Sequence, residues 1–180
     1  MFLLEGKKVV LRAIEKDDLP IIREWYNDYD MRGVWAGGYN PMSAERFERE
    51  RFMDTSDDKK RRLAIILKET GELIGSVSYQ IGEFNSAEIG IVIGEERFRH
   101  GGYGTDANQL LLNICFLEEN FQRLTLWTGG WNIPAQKLAE FLGFKLAVRI
   151  RKGFMREGEW QDALCYDMLR EEYLERYSDD

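Results

Sequence analysis

Apolar positions recur along this chain with two different periods, and the switch between them is sharpest just before residue 100. Ile89-Gly90-Ile91-Val92-Ile93 is an apolar run of strand length, rich in β-branched side chains. A basic, glycine-rich stretch follows: Arg97-Phe98-Arg99-His100-Gly101-Gly102-Tyr103-Gly104. Beyond it Ala107, Leu110, Leu111, Ile114, Leu117 and Phe121 recur at helical spacing, and Thr105 and Asp106 suit a helix N-terminus. The pattern predicts strand, glycine loop and helix in direct succession.

The flanking sequence supplies the other elements. Gly6–Ala13 alternates as a first strand, and Glu15–Asp18 opens a helix whose apolar side is Leu19, Ile22, Trp25 and Tyr26, with Pro20 in its first turn. Residues 27–40 are irregular, and Ser43 starts a second helix carrying Ala44, Phe47, Arg51 and Phe52 on one side. Leu63–Leu67 and Leu73–Tyr79 read as a hairpin turning at Glu69–Glu72, and Ala87–Ile93 reads as the fourth strand. The basic cluster at 59–62 reads as a solvated loop. Leu124–Thr128 is the fifth strand, broken by Gly129-Gly130. A helix then runs from Pro134 to Leu142 with Gly143 as its cap. Phe144–Ile150 and Gln161–Leu169 read as two closing strands, and Glu171–Asp180 as a polar, fraying tail. The order β-α-α-β-β-β-α-β-α-β-β predicts an α/β or α+β fold with a mixed sheet, read as a single domain over residues 1–180.

Composition narrows the classes. The 180 residues suffice for one sizeable core, and the longest apolar runs are far too short to span a bilayer. The N-terminus does not read as a secretion signal, Cys115 and Cys165 read as two buried reduced thiols, and no metal-ligand spacing is present. A cytoplasmic location is the expectation. A net charge of −7 argues against nucleic-acid binding and favours a cationic substrate.

Strand, glycine loop and helix together present free backbone N–H groups to an anion, and Arg97 and Arg99 can add charge. The spacing Arg99-x-x-Gly102-x-Gly104 is neither the dinucleotide fingerprint nor the triphosphate loop. It resembles the Q/R-x-x-G-x-G/A motif of the GNAT N-acetyltransferases. Ala87-Glu88-Ile89-Gly90 leads into it at family spacing, and Asn132-x-x-Ala135 with Leu142-Gly143-Phe144 follows downstream. The resemblance runs from Gly6 to about Tyr173 and is closest to the branch of ribosomal-protein alanine and spermidine N-acetyltransferases.

The resemblance implies a mostly antiparallel sheet flanked by helices, with a V-shaped splay between the fourth and fifth strands that holds the pantetheine arm. It implies acetyl-CoA as co-substrate, without a metal. The pyrophosphate would lie on Arg99, His100, Gly101, Gly102, Tyr103, Gly104 and Thr105. The main chain of Ile91, Val92 and Ile93 would meet the pantetheine and the acetyl carbonyl, with a Val92 or Ile93 N–H as oxyanion donor. Asn132 would bind the pantetheine amide or cap a helix. Glu88 is the candidate general base or substrate anchor, against a plain surface glutamate. Two departures stand out: the usual basic residue between the glycines is Gly101, and the usual proton-donating tyrosine is Ala139. Trp127 and Trp131 read as aromatic core in preference to an acceptor mouth. Trp25, Tyr26, Asp28, Tyr29, Asp30 and Trp35 form an aromatic and acidic cluster in the region that closes over the acceptor in this family. The acceptor is expected to be a small amine or polyamine, with a protein N-terminus as the alternative. A CoA-binding sensor is the reading of another class, and a homodimer is compatible with the sequence.

Overall fold

A computed structural model describes residues 4–28, 31, 41–50 and 59–177. Apolar and alternating runs form eight strands: β1 (Leu4–Glu5), β2 (Val9–Ala13), β3 (Lys60–Leu67), β4 (Leu73–Ile81), β5 (Ser86–Ile93), β6 (Arg123–Gly129), β7 (Lys145–Arg156) and β8 (Glu159–Leu169). The described helices are α1 (Leu19–Asn27), α2 (Ala44–Glu48), α3 (Tyr103–Asn113), α4 (Ile133–Leu142) and α5 (Arg170–Tyr177). Neighbouring strands follow the order β1-β2-β3-β4-β5-β6-β8-β7. β2 with β3, β6 with β8 and β7 with β8 are antiparallel, whereas β5 and β6 are parallel. The mixed sheet is the one that the element order predicts, and its mostly antiparallel pairing with flanking helices is what the family resemblance implies. The parallel register covers Ser86↔Arg123, Ala87↔Leu124 and Glu88↔Thr125, and β6 pairs along its whole length with β8.

The chain divides into two compact units, Met1–Ser78 with Ile91–Leu110 and Tyr79–Gly90 with Leu111–Asp180. In the first, Leu19, Ile22 and Trp25 of α1, Phe47 of α2, Ala64 and Ile66 of β3, Leu73 of β4 and Val92 of β5 share one core. The turn into α1 is fixed by an ion pair. Asp18, only 7% exposed, accepts both Arg12 guanidinium donors at 2.6 and 2.9 Å and the Glu15 N–H at 2.7 Å. β3 begins at Lys60, so Lys60–Arg62 belong to a strand and not to the predicted loop. Tyr29, Asp30, Trp35, Arg51 and Phe52 lie outside the described residues.

In the second unit Leu111, Leu112, Cys115 and Phe116 are fully buried, together with Leu124 and Leu142. The buried stripe of α3 is therefore Ala107, Asn108, Leu111, Leu112, Cys115 and Phe116, one step round from the predicted one, and Leu117 is 51% exposed. Asn108 can be buried there because its Nδ2 donates to the Gly104 carbonyl at 2.9 Å; beyond α3 the helix widens, with the Glu119 N–H reaching the Ile114 carbonyl at 2.9 Å. The polar tail does not fray up to Tyr177. α5 is anchored by Tyr173, which stacks on Phe116 at 4.7 Å between centroids and donates its hydroxyl to Asn113 Oδ1 at 2.5 Å. Tyr177 donates to the Leu142 carbonyl at 3.0 Å. The closing hairpin is longer than predicted because Glu157 and Gly158 (φ 52° and 82°) make a tight left-handed turn. Both thiols are free and buried, and burial, assisted by Glu119, pushes the Cys115 thiol up to about 12.

Burial alone would raise the Asp18 carboxyl, but Arg12 and the Glu15 N–H outweigh it and hold the group below its ordinary range. A folded value below the unfolded one contributes stability above the unfolded value, near ~3.9, and that contribution is lost as pH falls through the folded value. Urea midpoints measured from about pH 6 downward should fall more steeply for wild type than for Asp18→Asn at the acid end. Parallel pH curves would refute this role for Asp18.

Candidate active site

The glycine loop begins in a single 3₁₀ turn, where the Phe98 N–H meets the Glu95 carbonyl at 3.1 Å and the Arg99 N–H meets the Glu96 carbonyl at 2.8 Å. His100 and Gly102 then adopt left-handed conformations, φ 65° and 79°. Such a turn bends the backbone so that successive N–H groups face one way. α3 starts at Tyr103, two residues before the expected Thr105, and the Asp106 N–H closes onto the Gly102 carbonyl at 3.0 Å. The N–H groups of Tyr103, Gly104 and Thr105 precede that bond, so the helix provides them with no acceptor. Asn108, 3% exposed, donates Nδ2 to the Gly104 carbonyl at 2.9 Å and steadies the first turn.

The two arginines expected to add charge are engaged elsewhere. Arg97 pairs with Glu95 at 2.7 Å and with Glu72, its guanidinium 4.2 Å from the centre of the Phe98 ring. Arg99 turns Nη2 toward Met31 Sδ at 3.0 Å and the Gly94 carbonyl at 3.5 Å. The cation that lies on the loop is Lys8, whose Nζ donates to the Gly101 carbonyl at 2.7 Å and sits 5.7 Å from the centre of the Tyr103 ring. Its position comes from Asp106. That carboxylate accepts the main-chain N–H groups of Lys7, Lys8 and Val9 at 3.0, 2.6 and 2.9 Å. Nothing in the local sequence marks Lys8, which reads there only as part of a strand, or gives Asp106 a role beyond a helix start.

β5 leads into the loop. Glu88, Gly90 and Val92 share one face by alternation. Glu88 and Gly90 are exposed, whereas Val92 is 6% exposed and belongs to the α1 core. Ile91 and Ile93 are half-buried on the other face. Glu88 occupies the last pair of the parallel register, opposite Thr125, and its charge helps to raise the Cys165 thiol after burial and Asp167.

In the second unit Asn132 caps α4, its Oδ1 accepting the Ala135 N–H at 3.3 Å, which leaves Nδ2 as the donating end of the amide. Gly143, at φ 100°, closes the helix as expected. Ala139 is buried on that helix, at 1% exposure. Trp127 is 39% exposed and Trp131 half-buried, so neither is the core residue that the sequence suggested. Trp131 packs edge-on against Phe154 at 5.6 Å. Among the described residues no group of His, Cys, Asp or Glu is placed to hold a metal ion, and no helix is long and apolar enough to cross a membrane.

Residues 8–145 match the acetyltransferase (GNAT) domain family. The chain belongs to that family. It is similar to YnaD, an uncharacterised N-acetyltransferase of Bacillus subtilis, at 25% identity over 93% of this chain and 96% of that protein. Among solved structures it is similar to the Vibrio cholerae spermidine N-acetyltransferase in complex with CoA and spermine (25% identity, TM-score 0.84, covering 92% of this chain and 98% of that one). A Bacillus anthracis GNAT acetyltransferase shares the fold at 20% identity, with TM-score 0.79 over 94% and 99% of the two chains. The GNAT chain described here is an acetyl-CoA-dependent N-acetyltransferase.

The Asp106 carboxylate is the structural support of the GNAT loop. Asp106→Ala should cost about 2 kcal/mol, because three N–H groups lose an ionised acceptor and only water can replace it. The urea midpoint should drop at unchanged slope. A midpoint equal to wild type would contradict the assignment.

Proposed function

We propose that the protein acetylates a primary amine of a small amine or polyamine by direct transfer in a ternary complex. The carrying observation is the turn at His100 and Gly102, which leaves the N–H groups of Tyr103, Gly104 and Thr105 before the first bond of α3. Those donors would hold the pyrophosphate, and the pantetheine would run along Ile91–Ile93. A parallel register confined to Ser86–Glu88 supports that course, since it leaves the later main-chain groups of β5 outside the β5–β6 ladder. Asn132 Nδ2 would donate to the arm.

In the reaction the amine nitrogen forms a bond to the thioester carbon while the C–S bond breaks. The carbonyl oxygen takes negative charge in between, and a Val92 or Ile93 N–H would stabilise it. An alkylamine with pKa near ~10.4 is neutral in only about one molecule in a few thousand near pH 7, so removal of its proton matters. Glu88 is exposed on the face it shares with Gly90, which has no side chain of its own, and would take that proton directly or through water. The thiolate leaves with pKa near ~8.5 and takes its proton from water, because Ala139 carries none to give. The likeness to the spermidine enzyme and the net charge of −7 both support a cationic acceptor. Two free, buried thiols support a cytoplasmic setting.

Initial rates of thiol release from acetyl-CoA test the reading, with spermidine, spermine and an alanine-ended peptide as acceptors. Saturable turnover of the polyamines is expected, and saturation by the peptide alone would reverse the acceptor assignment. Glu88→Gln should lower kcat by about 10²-fold near pH 7, with the deficit narrowing as pH approaches the amine pKa. An unchanged kcat would remove Glu88 from the chemistry.

A further inference from the structure

We propose that Lys8 supplies a cation at the glycine turn, where Arg97 and Arg99 are turned to other partners, and that its ammonium contacts a phosphate of bound coenzyme A. The inference rests on the reading of residues 99–105 as the phosphate loop and extends it to a residue on another strand. Gly101 stands where the resemblance implies a basic side chain, and a Cβ there would lie 2.4 Å from Tyr103 Cε2. Lys8 Nζ is 2.7 Å from the Gly101 carbonyl and would be 3.2 Å from a Cβ built on Gly102. One of the three ammonium donors is used by the Gly101 carbonyl, and the side chain is exposed, so the others are free to meet an incoming oxygen.

The placement is built and not incidental. Lys8 lies between two residues whose N–H groups, like its own, end on Asp106 in the first turn of α3. That clamp is close enough to exclude any side chain at Gly6, where a Cβ would fall 2.5 Å from Asp106 Oδ2. The helix that offers the N–H donors therefore also positions the ammonium. Arg97 and Arg99 are bound to Glu72, Glu95 and Met31, which leaves Lys8 as the basic side chain resting on the turn. The shared chemistry is a phosphate oxygen, either of the diphosphate or of the 3′-phosphate.

Calorimetric titration of the full chain with coenzyme A tests this, using wild type, Lys8→Met, Lys8→Arg and Gly102→Val. Lys8→Met should weaken binding by about tenfold, the scale of one charge-assisted hydrogen bond, and Lys8→Arg should restore most of it. S-acetylpantetheine, which has no phosphate, should be turned over equally by wild type and Lys8→Met, while KM for acetyl-CoA rises in Lys8→Met at unchanged kcat. With 3′-dephospho-CoA, persistence of the Lys8→Met deficit assigns the contact to the diphosphate and its disappearance assigns it to the 3′-phosphate; both support the proposal. If Gly102→Val weakens coenzyme A binding and Lys8→Met does not, the proposal falls and the loop reading stands. If neither variant changes affinity, or wild type binds no coenzyme A, the loop reading falls with it. Equal loss with S-acetylpantetheine would make Lys8 merely structural and would also overturn the proposal.

Discussion

One carboxylate joins the start of the sheet to the start of the helix that carries the loop. Asp106 takes three consecutive main-chain N–H groups, from Lys7, Lys8 and Val9, as β2 begins. Those groups precede or open the β2–β3 ladder, where Val9 faces Leu67. An ionised acceptor is the strongest available partner for them, and it fixes the first turn of α3 against the edge of the strand. The loop at 99–105 is thus tied to β2, and the N–H groups of residues 103–105 lie ahead of the first bond of α3. A loop pinned in this way meets its ligand without first paying the entropy of ordering.

The chemistry follows from that rigidity. Backbone donors fixed in a left-handed turn stabilise an anion without needing an arginine in contact, which fits the engagement of Arg97 and Arg99 elsewhere. The cation at the turn comes from a residue distant in sequence, Lys8. A GNAT enzyme that anchors its cofactor through phosphate can accept a thioester in one orientation, and the amine specificity is then set by other surfaces. Glu88 on β5 and the exposed Trp127 on β6 are described in the second unit, and the aromatic and acidic stretch around residues 29–35 lies largely outside the described residues.

Much of this was legible in the residues themselves. The run from Ile89 to Ile93, the glycines that follow and the apolar spacing after them fix strand, turn and helix, because period and glycine content are local properties. Asn132 and Gly143 were legible as caps for the same reason. The buried stripe of α3 takes in a polar residue, Asn108, whose amide is satisfied by the Gly104 carbonyl, so an apolar pattern could not include it. The other misplaced features depend on distant contacts. The polar C-terminal segment forms a helix because Tyr173 finds Phe116 and Asn113. Lys60–Arg62 entered a strand that their charge disfavours, since β3 continues through them. Lys8 was invisible for the same reason: its partner, Gly101, is 93 residues away.

Amide spectra of isotope-labelled protein titrated with coenzyme A show whether the main-chain N–H groups at the turn into α3 grip a diphosphate. The signals of Gly102, Tyr103, Gly104 and Thr105 should move downfield together and saturate at one affinity, with the same shifts produced by a nucleoside diphosphate. Saturable binding with those four signals unmoved would refute that grip.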